Sequence, residues 1–355
     1  MTVDLAGLDF TLPAELSATR PPEARGVARD EVRLLVSDGD TLTHARFREL
    51  PAFLRPGDLV VVNNSAMLAA AVDAELDGVP AVLHFSTWLT GHRWVVEVRD
   101  PAGTPWAGRP PESVARLRLP GDATAVLREP WLPGATRLWV AEVDSEVREV
   151  LARHGRPITY SYVPERWSAD YYRTVFGREP GSAEMPSAGR PFTETLVTEL
   201  VARGIALAPI TLHTGVSSPE TGEPPHPERL VVPDLTARLV NLTRAAGGRV
   251  IAVGTTVTRA LESAADDRGR VHATAGWTAL VLDGSRPARV VDGLITGWHA
   301  PGASHLHLLE SVAGAEVVGR AYRAAVDTGY LWHEFGDTAL LFRRRPGAHP
   351  GAAVA

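Results

Sequence analysis

The sequence has 355 residues, no cysteine and a formal net charge of −6. This length favours division into two domains, and 45% hydrophobic with 22% charged residues is typical of globular proteins, not of disordered or membrane chains. The lack of cysteine excludes disulfides, thiolate nucleophiles and cysteine zinc sites. Since no HExxH pattern occurs either, we expect no metal. The negative charge argues against a general nucleic-acid coat, although it is compatible with a local basic patch that holds one folded RNA.

The chain contains no run of about 18 apolar residues. Its first residues, MTVDLAGLDF, lack the basic, apolar and small-residue order of a signal peptide. We therefore expect a cytoplasmic protein with no membrane partner. We also expect a monomer.

Short alternating apolar stretches set residues 70–157 apart from the rest of the chain. Before them, LRPGDLVVVNN combines a turn at Pro56 and Gly57 with an apolar strand. Inside the region, AVLHF, RWVVEV, ARLRL and TRLWVAEV are separated by Gly, Pro and Asp turns, which predicts a small all-β barrel. We therefore predict an α/β fold, with a mixed α/β main domain of residues 1–69 and 158–342, an inserted β-barrel domain of residues 70–157, and a disordered tail of residues 343–355.

Helices and strands alternate along the second part of the main domain. Thr193 is placed to cap a helix whose apolar face carries Leu196 and Leu200, and the strand IALAPITLH follows that helix. This alternation is the pattern of an α/β domain. Further strands are predicted over residues 250–253, 279–282 and 293–296, and further helices over residues 257–264, 304–312 and 315–326.

The run GRVIAVGTTVTRALES predicts a buried strand that breaks at Gly254 and turns directly into a helix. Either Thr255 or Thr256 can cap that helix. A helix N-terminus at the carboxyl end of a strand presents oriented amides to an anionic or carboxylate-bearing ligand. An ordinary strand-to-helix turn gives the same pattern, so this run alone leaves both interpretations open.

Two histidines follow the ends of predicted strands. His213 ends IALAPITLH, and His299 lies just beyond the strand in LITGWHAPG. An imidazole at such a position is suited to general acid or base catalysis near neutral pH. We expect His305 and His307, on or beside the following helix, to be solvated. Asp337 follows a glycine, where it is suited either to binding a ribose hydroxyl or to making a turn.

The segment from residue 171 to residue 196 places glycines, prolines and small residues between an aromatic cluster and the helix that Thr193 caps. This composition is typical of a rigid ligand-binding loop. It is also typical of a long surface crossover, so the composition leaves both open.

Five stretches of the chain carry a family resemblance: GREPGSAEMPSAGRPFT, TLHTGVSS, GTTVTRALES, LITGWHAPGASHLHLLESVAG and YLWHEFGDTALL. In this order they resemble the S-adenosylmethionine:tRNA ribosyltransferase-isomerases of queuosine biosynthesis. The opening segments DFTLPAELSATRPPEAR and LRPGDLVVVNN fit the same family. Because the match is collinear over nearly the whole chain, the sequence is identified as a divergent member of that family. The family's architecture, a mixed α/β domain with an inserted β-barrel, agrees with the prediction from the residues.

The resemblance implies an enzyme that transfers the ribosyl moiety of S-adenosylmethionine to 7-aminomethyl-7-deazaguanine in a tRNA anticodon stem-loop and isomerises it. The products are epoxyqueuosine, adenine and methionine. S-adenosylmethionine is then a co-substrate, and no metal is implied. Such chemistry needs a base near the carbon next to the sulfonium, an acid for the departing adenine, and polar groups that hold the opened sugar.

The titratable residues that fall on the family's motifs are the catalytic candidates His213, His299, Glu262 and Asp337. We assign proton transfer to one of the two histidines, and contacts with the donor or a backbone phosphate to Thr255, Thr256 and Arg259. Arg259 and Glu262 are equally suited to an ion pair at i,i+3 spacing on the helix surface. The residues predicted to bind substrate are Gly181, Ser182, Pro186, Gly189, Phe192, Thr193, Gly215, Gly254, Thr255, Thr256, Arg259, Thr296, Pro301 and Ser304.

Departures from the family pattern concentrate in the predicted contact segments. Ala66 and Ala71 stand where the family has arginines, which removes two guanidinium groups. Arg190 and Pro191 stand where a leucine and a histidine are expected, and proline cannot transfer a proton. Residues 215–228 form a longer, proline-rich acidic loop, which disfavours a polyanion.

These departures leave a second hypothesis open. It is a divergent paralogue that binds S-adenosylmethionine or another adenosine ligand and acts on a small molecule or has no tRNA activity. A scaffold without a ligand is the third. A continuous basic face beside the strand ends favours tRNA, whereas an acidic face, or one closed by residues 215–228, argues against it. The residues predicted to build the basic face are Arg173, Arg178, Arg190 and Arg259.

Overall fold

The computed structural model describes residues 10–106, 115–133, 136–160, 162–216 and 226–343. None of the helices in these ranges has the length and hydropathy needed to cross a bilayer. The strands are β1 (Arg33–Asp38), β2 (Thr41–Arg46), β3 (Leu59–Asn63), β4 (Ser65–Met67), β5 (Ala71–Leu76), β6 (Val79–Thr90), β7 (Arg93–Arg99), β8 (Arg116–Arg118), β9 (Thr124–Pro130), β10 (Leu138–Val143), β11 (Glu179–Ser182), β12 (Ala206–His213), β13 (Glu228–Val232), β14 (Val250–Val253), β15 (Thr274–Thr278), β16 (Gly293–Gly297) and β17 (Thr338–Phe342). The α-helices are α1 (Val147–His154), α2 (Glu194–Ala202), α3 (Asp234–Ala245), α4 (Thr255–Ser263), α5 (His305–Ala313) and α6 (Ala315–Asp327).

A nine-stranded mixed sheet forms the main part of the fold, in the order β15-β13-β12-β3-β14-β16-β17-β1-β2. Strands β12, β3, β14 and β16 run parallel, and β17 runs antiparallel to β16 and parallel to β1. Every residue of β3 and β14 is buried. Leu59 and Val61 face one core, and Val60 and Val62 face the other. The parallel strands are therefore covered on both faces, and their carboxyl ends share one edge of the sheet.

Strands β5 to β10 close into a separate antiparallel barrel in the order β10-β7-β6-β5-β8-β9. The barrel has its own core, in which the rings of Phe85 and Trp94 pack edge to face with 5.7 Å between their centroids. The chain enters the barrel after β4 and returns to the main sheet through β11 and β12. These observations confirm the predicted fold class. The domain bounds at residues 69/70 and 157/158 stay predictions.

One predicted strand is wrong. Residues 279–282 do not form a strand, because β15 ends at Thr278. The Thr278 hydroxyl accepts the backbone N–H of Leu280 at 3.1 Å, which turns the chain away from its pairing with β13. The predicted tail lies almost entirely outside the described residues, which end at residue 343.

The start of each of two helices was assigned to a threonine cap. Thr193 confirms this for α2, since its hydroxyl accepts the backbone N–H of Leu196 at 3.2 Å. The caps predicted for α4 are wrong. Gly254 is the N-cap, so Thr255 and Thr256 already belong to the first turn of the helix.

A buried ion pair joins the amino ends of β3 and β14. Asp58 is 2% exposed and accepts hydrogen bonds from the Arg249 guanidinium at 2.6 and 3.1 Å. It also accepts the backbone N–H groups of Arg55 and Arg249. The pair therefore fixes where two neighbouring strands begin, and both of these strands lead to the site described below.

We predict that Asp58→Ala lowers the free energy of unfolding by about 3–5 kcal/mol, because it leaves a buried guanidinium without its counter-charge. Urea unfolding at pH 7, followed by circular dichroism, measures this loss. Asp234→Ala is the matched control, since Asp234 pairs with Arg238 on the surface of α3 and an exposed pair contributes about 0–1 kcal/mol. Equal losses in the two variants would contradict the importance of the buried pair.

Candidate active site at the carboxyl ends of the parallel strands

A cavity of about 520 Å³ opens at the carboxyl ends of β14 and β16. Its walls are the start of α4, the segment that joins β16 to α5, the loop before α2, and residues near the ends of β12 and β13. The cavity brings together one catalytic candidate, His299, and many of the predicted substrate-binding residues. These are Pro186, Gly215, Gly254, Thr255, Thr256, Arg259, Thr296, Pro301 and Ser304.

Gly254 places the N-terminus of α4 in the cavity wall. Its φ of 93° lies in the left-handed region that favours glycine. A Cβ added there would lie 3.4 Å from the Cβ of Ala188. Thr255 and Thr256 follow in the first helical turn, where the backbone N–H groups have no intrahelical acceptor. This end of α4 therefore suits a carboxylate or phosphate group.

His299 is held firmly by its backbone. Its N–H donates to the Tyr322 hydroxyl at 3.2 Å, and its carbonyl accepts the indole N–H of Trp332 at 3.0 Å. The ring contacts the Thr296 hydroxyl through Nε2 at 3.1 Å and stacks on His305, with 4.6 Å between centroids and 4° between planes. Burial, and then the neighbouring histidines, hold the pKa of His299 well below its usual range. The imidazole is therefore neutral at neutral pH.

The sequence predicts a solvated His305, and the structure places this residue in the wall of the cavity. Its side chain is accessible, but what it faces is the cavity, where it stacks on His299. Protein atoms around the ring displace water, and this, followed by the positive charge of Arg259, lowers the pKa of His305 to about 4. His305 therefore joins the site, because α5 begins with it directly beside the end of β16.

Two tyrosines and His333 form a stacked aromatic wall of the cavity. The Tyr162 ring lies 3.9 Å from the His333 ring and 5.8 Å from the Tyr160 ring, measured between centroids. The Tyr162 hydroxyl donates to Glu334 Oε2 at 2.5 Å, and the Tyr160 hydroxyl donates to Glu184. Burial raises the pKa of both Glu334 and Tyr162. His333 adopts a φ of 72°, which is uncommon outside glycine and often marks a functional site.

This aromatic wall was not predicted from the sequence. The density of aromatic residues in YSYVPERWSADYY was a usable signal. The residues HEF stand directly before Gly336 and Asp337, and Asp337 is one of the predicted catalytic candidates. The two segments are far apart in the chain. Their contact is visible only in the folded protein.

Arg259 does line the cavity, but its charge is paired. Its guanidinium donates to the Glu228 carboxylate and to the Leu280 carbonyl, the latter at 3.1 Å. Burial raises the pKa of Glu228, while Arg259 acts in the opposite direction. The predicted alternative, an ion pair with Glu262 at i,i+3 spacing, is wrong, because Arg259 pairs with Glu228 of β13 instead. Any ligand here meets a compensated ion pair, not a free guanidinium.

His213 does not line the cavity, and its assignment to proton transfer stays a prediction. Its Nδ1 contacts the Ser65 hydroxyl at 2.8 Å, and Ser65 in turn contacts the Ser182 hydroxyl at 2.6 Å. A Cβ on Gly181 would lie 2.5 Å from His213 Nδ1, so this position requires glycine. Burial, helped by Arg229, lowers the pKa of His213 to about 4.

Glu262 and Asp337 also hold structure together outside the cavity. The Glu262 carboxylate accepts three backbone N–H groups, from residues 289, 290 and 291, at 2.8 to 3.2 Å. Asp337 accepts the backbone N–H groups of Arg33 (2.7 Å) and Leu331 (2.8 Å), and burial raises its pKa. The structure thus favours the turn-making alternative for Asp337. Neither carboxylate touches the cavity where His299 lies.

The remaining predicted binding residues support the cavity walls without lining them. Ser182 accepts the backbone N–H of Thr214 at 3.0 Å. Gly189 ends a short 3-10 turn, and Phe192 packs in the core against Phe47 at 5.0 Å between centroids. Thr193 is the cap of α2 described above. These residues fix the loop that carries Pro186.

The four arginines predicted to build a basic face do not do so together. Arg190 is 2% exposed and donates to Glu23 at 2.7 Å, and Arg259 is buried against Glu228. Arg173 is exposed but pairs with Asp170 at 3.1 Å. Arg178 is exposed. Residues 217–225 of the predicted acidic loop lie outside the described residues.

The single-residue departures from the family pattern named above lie at buried or half-buried positions that do not line the cavity. Ala71 is 2% exposed in a small apolar cluster between the barrel and the main sheet. Ala66 lies on β4, which pairs with β11. Pro191 is buried. In the described ranges, no group of three or more histidine, aspartate or glutamate side chains is placed to hold a metal ion.

The fold and the cavity define an α/β protein with a cavity at the carboxyl ends of parallel strands and an inserted β-barrel. A family model described as queuosine biosynthesis protein matches residues 5–341. The chain belongs to this family of enzymes, which confirms the resemblance found in its motifs.

Named relatives match this chain over nearly its whole length. The S-adenosylmethionine:tRNA ribosyltransferase-isomerase of Azoarcus sp. (strain BH72) is 37% identical over 97% of this chain and 99% of the relative. The protein of the same name from Acidiphilium cryptum (strain JF-5) is 34% identical over 96% of this chain and 100% of the relative. The crystal structure of S-adenosylmethionine tRNA ribosyltransferase from Thermotoga maritima is 28% identical, with a TM-score of 0.53 over 94% of this chain and 99% of that one.

We predict that His213 makes the protein less stable as the pH falls from about 6.5 to about 4. The lowered pKa means that the unfolded chain takes up the proton first, so acid favours unfolding in this window. His213→Gln removes the titration. Its free energy of unfolding, measured with urea between pH 7 and pH 4.5, should therefore fall less steeply than that of the wild type.

His92→Gln is the control, because His92 is an exposed histidine in a barrel turn. Its pH dependence should follow the wild type. A His213→Gln variant with the unchanged wild-type slope would show that the imidazole is not buried in its neutral form.

Proposed function

We propose that the protein transfers the ribosyl moiety of S-adenosylmethionine to 7-aminomethyl-7-deazaguanine in tRNA and isomerises it to give epoxyqueuosine. The aminomethyl nitrogen forms a bond to the ribosyl unit, the bonds to adenine and methionine break, and the ribose is rearranged into an epoxycyclopentane. Family membership supports the proposal, since the named relatives are S-adenosylmethionine:tRNA ribosyltransferase-isomerases. S-adenosylmethionine is a co-substrate here.

The observation that carries the proposal is the convergence of three features on one cavity: a neutral histidine, a helix N-terminus and a stacked aromatic wall. The reaction begins with loss of a proton from the acidic carbon next to the sulfonium, and it needs a base in its neutral form. His299 meets this requirement, because its lowered pKa keeps the imidazole unprotonated. Of the two histidines considered for proton transfer, we assign this role to His299.

The other walls suit the remaining parts of the substrates. The first turn of α4, with Thr255 and Thr256, suits the carboxylate of the methionine moiety. The stacked rings of Tyr162 and His333 suit a planar base, either adenine or the deazaguanine. Glu334 has one oxygen held by Tyr162, and its other oxygen suits the aminomethyl amine.

The second candidate function is the divergent paralogue that binds S-adenosylmethionine or another adenosine ligand and acts on a small molecule. The pairing of Arg190 with Glu23 and of Arg259 with Glu228 favours it, because neither guanidinium is free for a phosphate. Against it, the named relatives match this chain over nearly its whole length, and they are tRNA ribosyltransferase-isomerases, which favours tRNA as the substrate. Binding through the anticodon stem-loop, the monomeric state and the cytoplasmic location stay predictions.

We predict that the purified protein releases adenine from S-adenosylmethionine when an anticodon stem-loop carrying the aminomethyl-deazaguanine is present, with a matching gain in the mass of the RNA. Mass spectrometry follows both products. His299→Ala should slow adenine release by about 100- to 10,000-fold, the usual contribution of a general base, whereas His92→Ala should not change it. No turnover by the wild type, with S-adenosylmethionine still bound, would favour the small-molecule paralogue.

Gly254→Ala should weaken binding of S-adenosylmethionine, since alanine strains a residue with a φ of 93° and the start of α4 must then shift in the cavity wall. Gly247→Ala is a matched control, because Gly247 has a φ of 79° and open space around it. Both variants should lose about 1–2 kcal/mol of stability. Calorimetric titration with S-adenosylmethionine should detect a loss of affinity in Gly254→Ala alone, and equal affinities would rule out a ligand at this helix end.

A further inference from the structure

A cluster of tryptophans lies on the surface where the barrel meets the edge of the main sheet. Trp88 of β6 is 37% exposed, and Trp277 of β15 is 44% exposed. The Arg229 guanidinium of β13 lies between them, 4.5 Å from the Trp88 ring centroid and 5.7 Å from that of Trp277. The Trp131 ring lies 6.0 Å from Trp277. We call these four residues the Arg229 surface.

The Arg229 surface carries a positive charge that no carboxylate of the described residues pairs. Within the described residues, Arg229 makes no ion pair with a carboxylate, and its contacts are the two indole rings. Arg148, on α1, likewise makes no ion pair there, and both arginines lie close enough to His213 to lower its pKa. On this surface, exposed indole rings thus lie beside a guanidinium group that makes no ion pair within the described residues.

Two of the strands that carry the surface also carry residues near the cavity. Arg229 directly follows Glu228, which lines the cavity. Trp88 lies two residues beyond Ser86, whose hydroxyl accepts the backbone N–H of Val216 in the cavity wall at 2.9 Å. Because successive residues of a strand face opposite sides, Arg229 lies on the other face of β13 from Glu228. An RNA that enters the cavity therefore meets this surface only if it passes around the end of these strands.

We propose that the Arg229 surface binds unpaired nucleotides of the RNA substrate outside the cavity. Exposed indole rings accept nucleobases by stacking, and a guanidinium over these rings has donors for a phosphate. A second copy of this chain fits less well. A two-fold contact centred on Arg229 would bring this guanidinium against its own copy. The inference rests on the proposed function, which supplies the RNA.

Trp88→Ala combined with Trp277→Ala tests the proposal. Loss of the two stacking rings should raise the KM for the anticodon stem-loop, and its Kd by fluorescence anisotropy, by about tenfold or more. The KM for S-adenosylmethionine and the kcat at saturating RNA should stay unchanged. Trp88→Phe with Trp277→Phe should retain most of the affinity, because phenylalanine still stacks. Arg229→Gln should reduce the salt dependence of the Kd by about one phosphate contact.

Leu235→Ala with Leu242→Ala is the control, since both side chains are exposed on α3, at 61% and 65%, and neither belongs to the surface. Unchanged RNA affinity in the folded tryptophan variant, checked by circular dichroism, would overturn the proposal. So would a concentration-dependent dimer of the wild type that the variant loses in sedimentation.

The proposed function can fail separately. If the wild type binds the stem-loop through the tryptophans but releases no adenine, the surface stands and the reaction does not. If adenine release proceeds with an unchanged KM for RNA in the tryptophan variant, the reaction stands and the surface does not.

Discussion

One buried side chain joins the elements from which the site is built. Asn63 ends β3 and is 4% exposed. Its amide nitrogen donates to the Leu212 carbonyl at 2.8 Å and to the Thr256 hydroxyl at 3.3 Å, while its oxygen accepts the backbone N–H groups of Leu212 and Ser65 at 3.0 Å. It therefore ties the end of β12, the start of β4 and the first turn of α4 to the central strand. A polar group with all its bonds satisfied fixes one arrangement, because any shift leaves a buried donor or acceptor unpaired.

The cavity that Asn63 helps to shape contains ionisable groups whose charges are suppressed or paired. His299 is neutral, Arg259 is compensated by Glu228, and Glu334 shares a hydrogen bond with Tyr162. A site of this kind adds little repulsion or attraction of its own to a charged co-substrate. Selectivity for the sulfonium donor would then come from shape, from the end of α4 and from stacking, with phosphate recognition left to surfaces outside the cavity.

Local sequence patterns predicted much of the fold and part of the site. The apolar run before Gly254, the histidine beyond β16 and the cap at Thr193 are local signals, and the structure has each where it was predicted. His213 shows the limit of such signals. It stands at the end of a strand just as His299 nearly does, yet it faces Gly181 behind the cavity wall. Which side a strand-end residue faces depends on the partner strands, and one sequence does not contain that information.

The sequence by itself determined the mixed α/β class, the inserted barrel and the family, because periodicity, turn residues and motif order are properties of neighbouring residues. Only the tertiary structure decided which side chains share the cavity. Tyr162 and His333 stack although they are separated by most of the main domain's second half, and Arg259 pairs with β13 instead of its own helix. The physical reason is that burial and hydrogen-bond satisfaction act between elements, so they select partners that adjacency in the chain does not reveal.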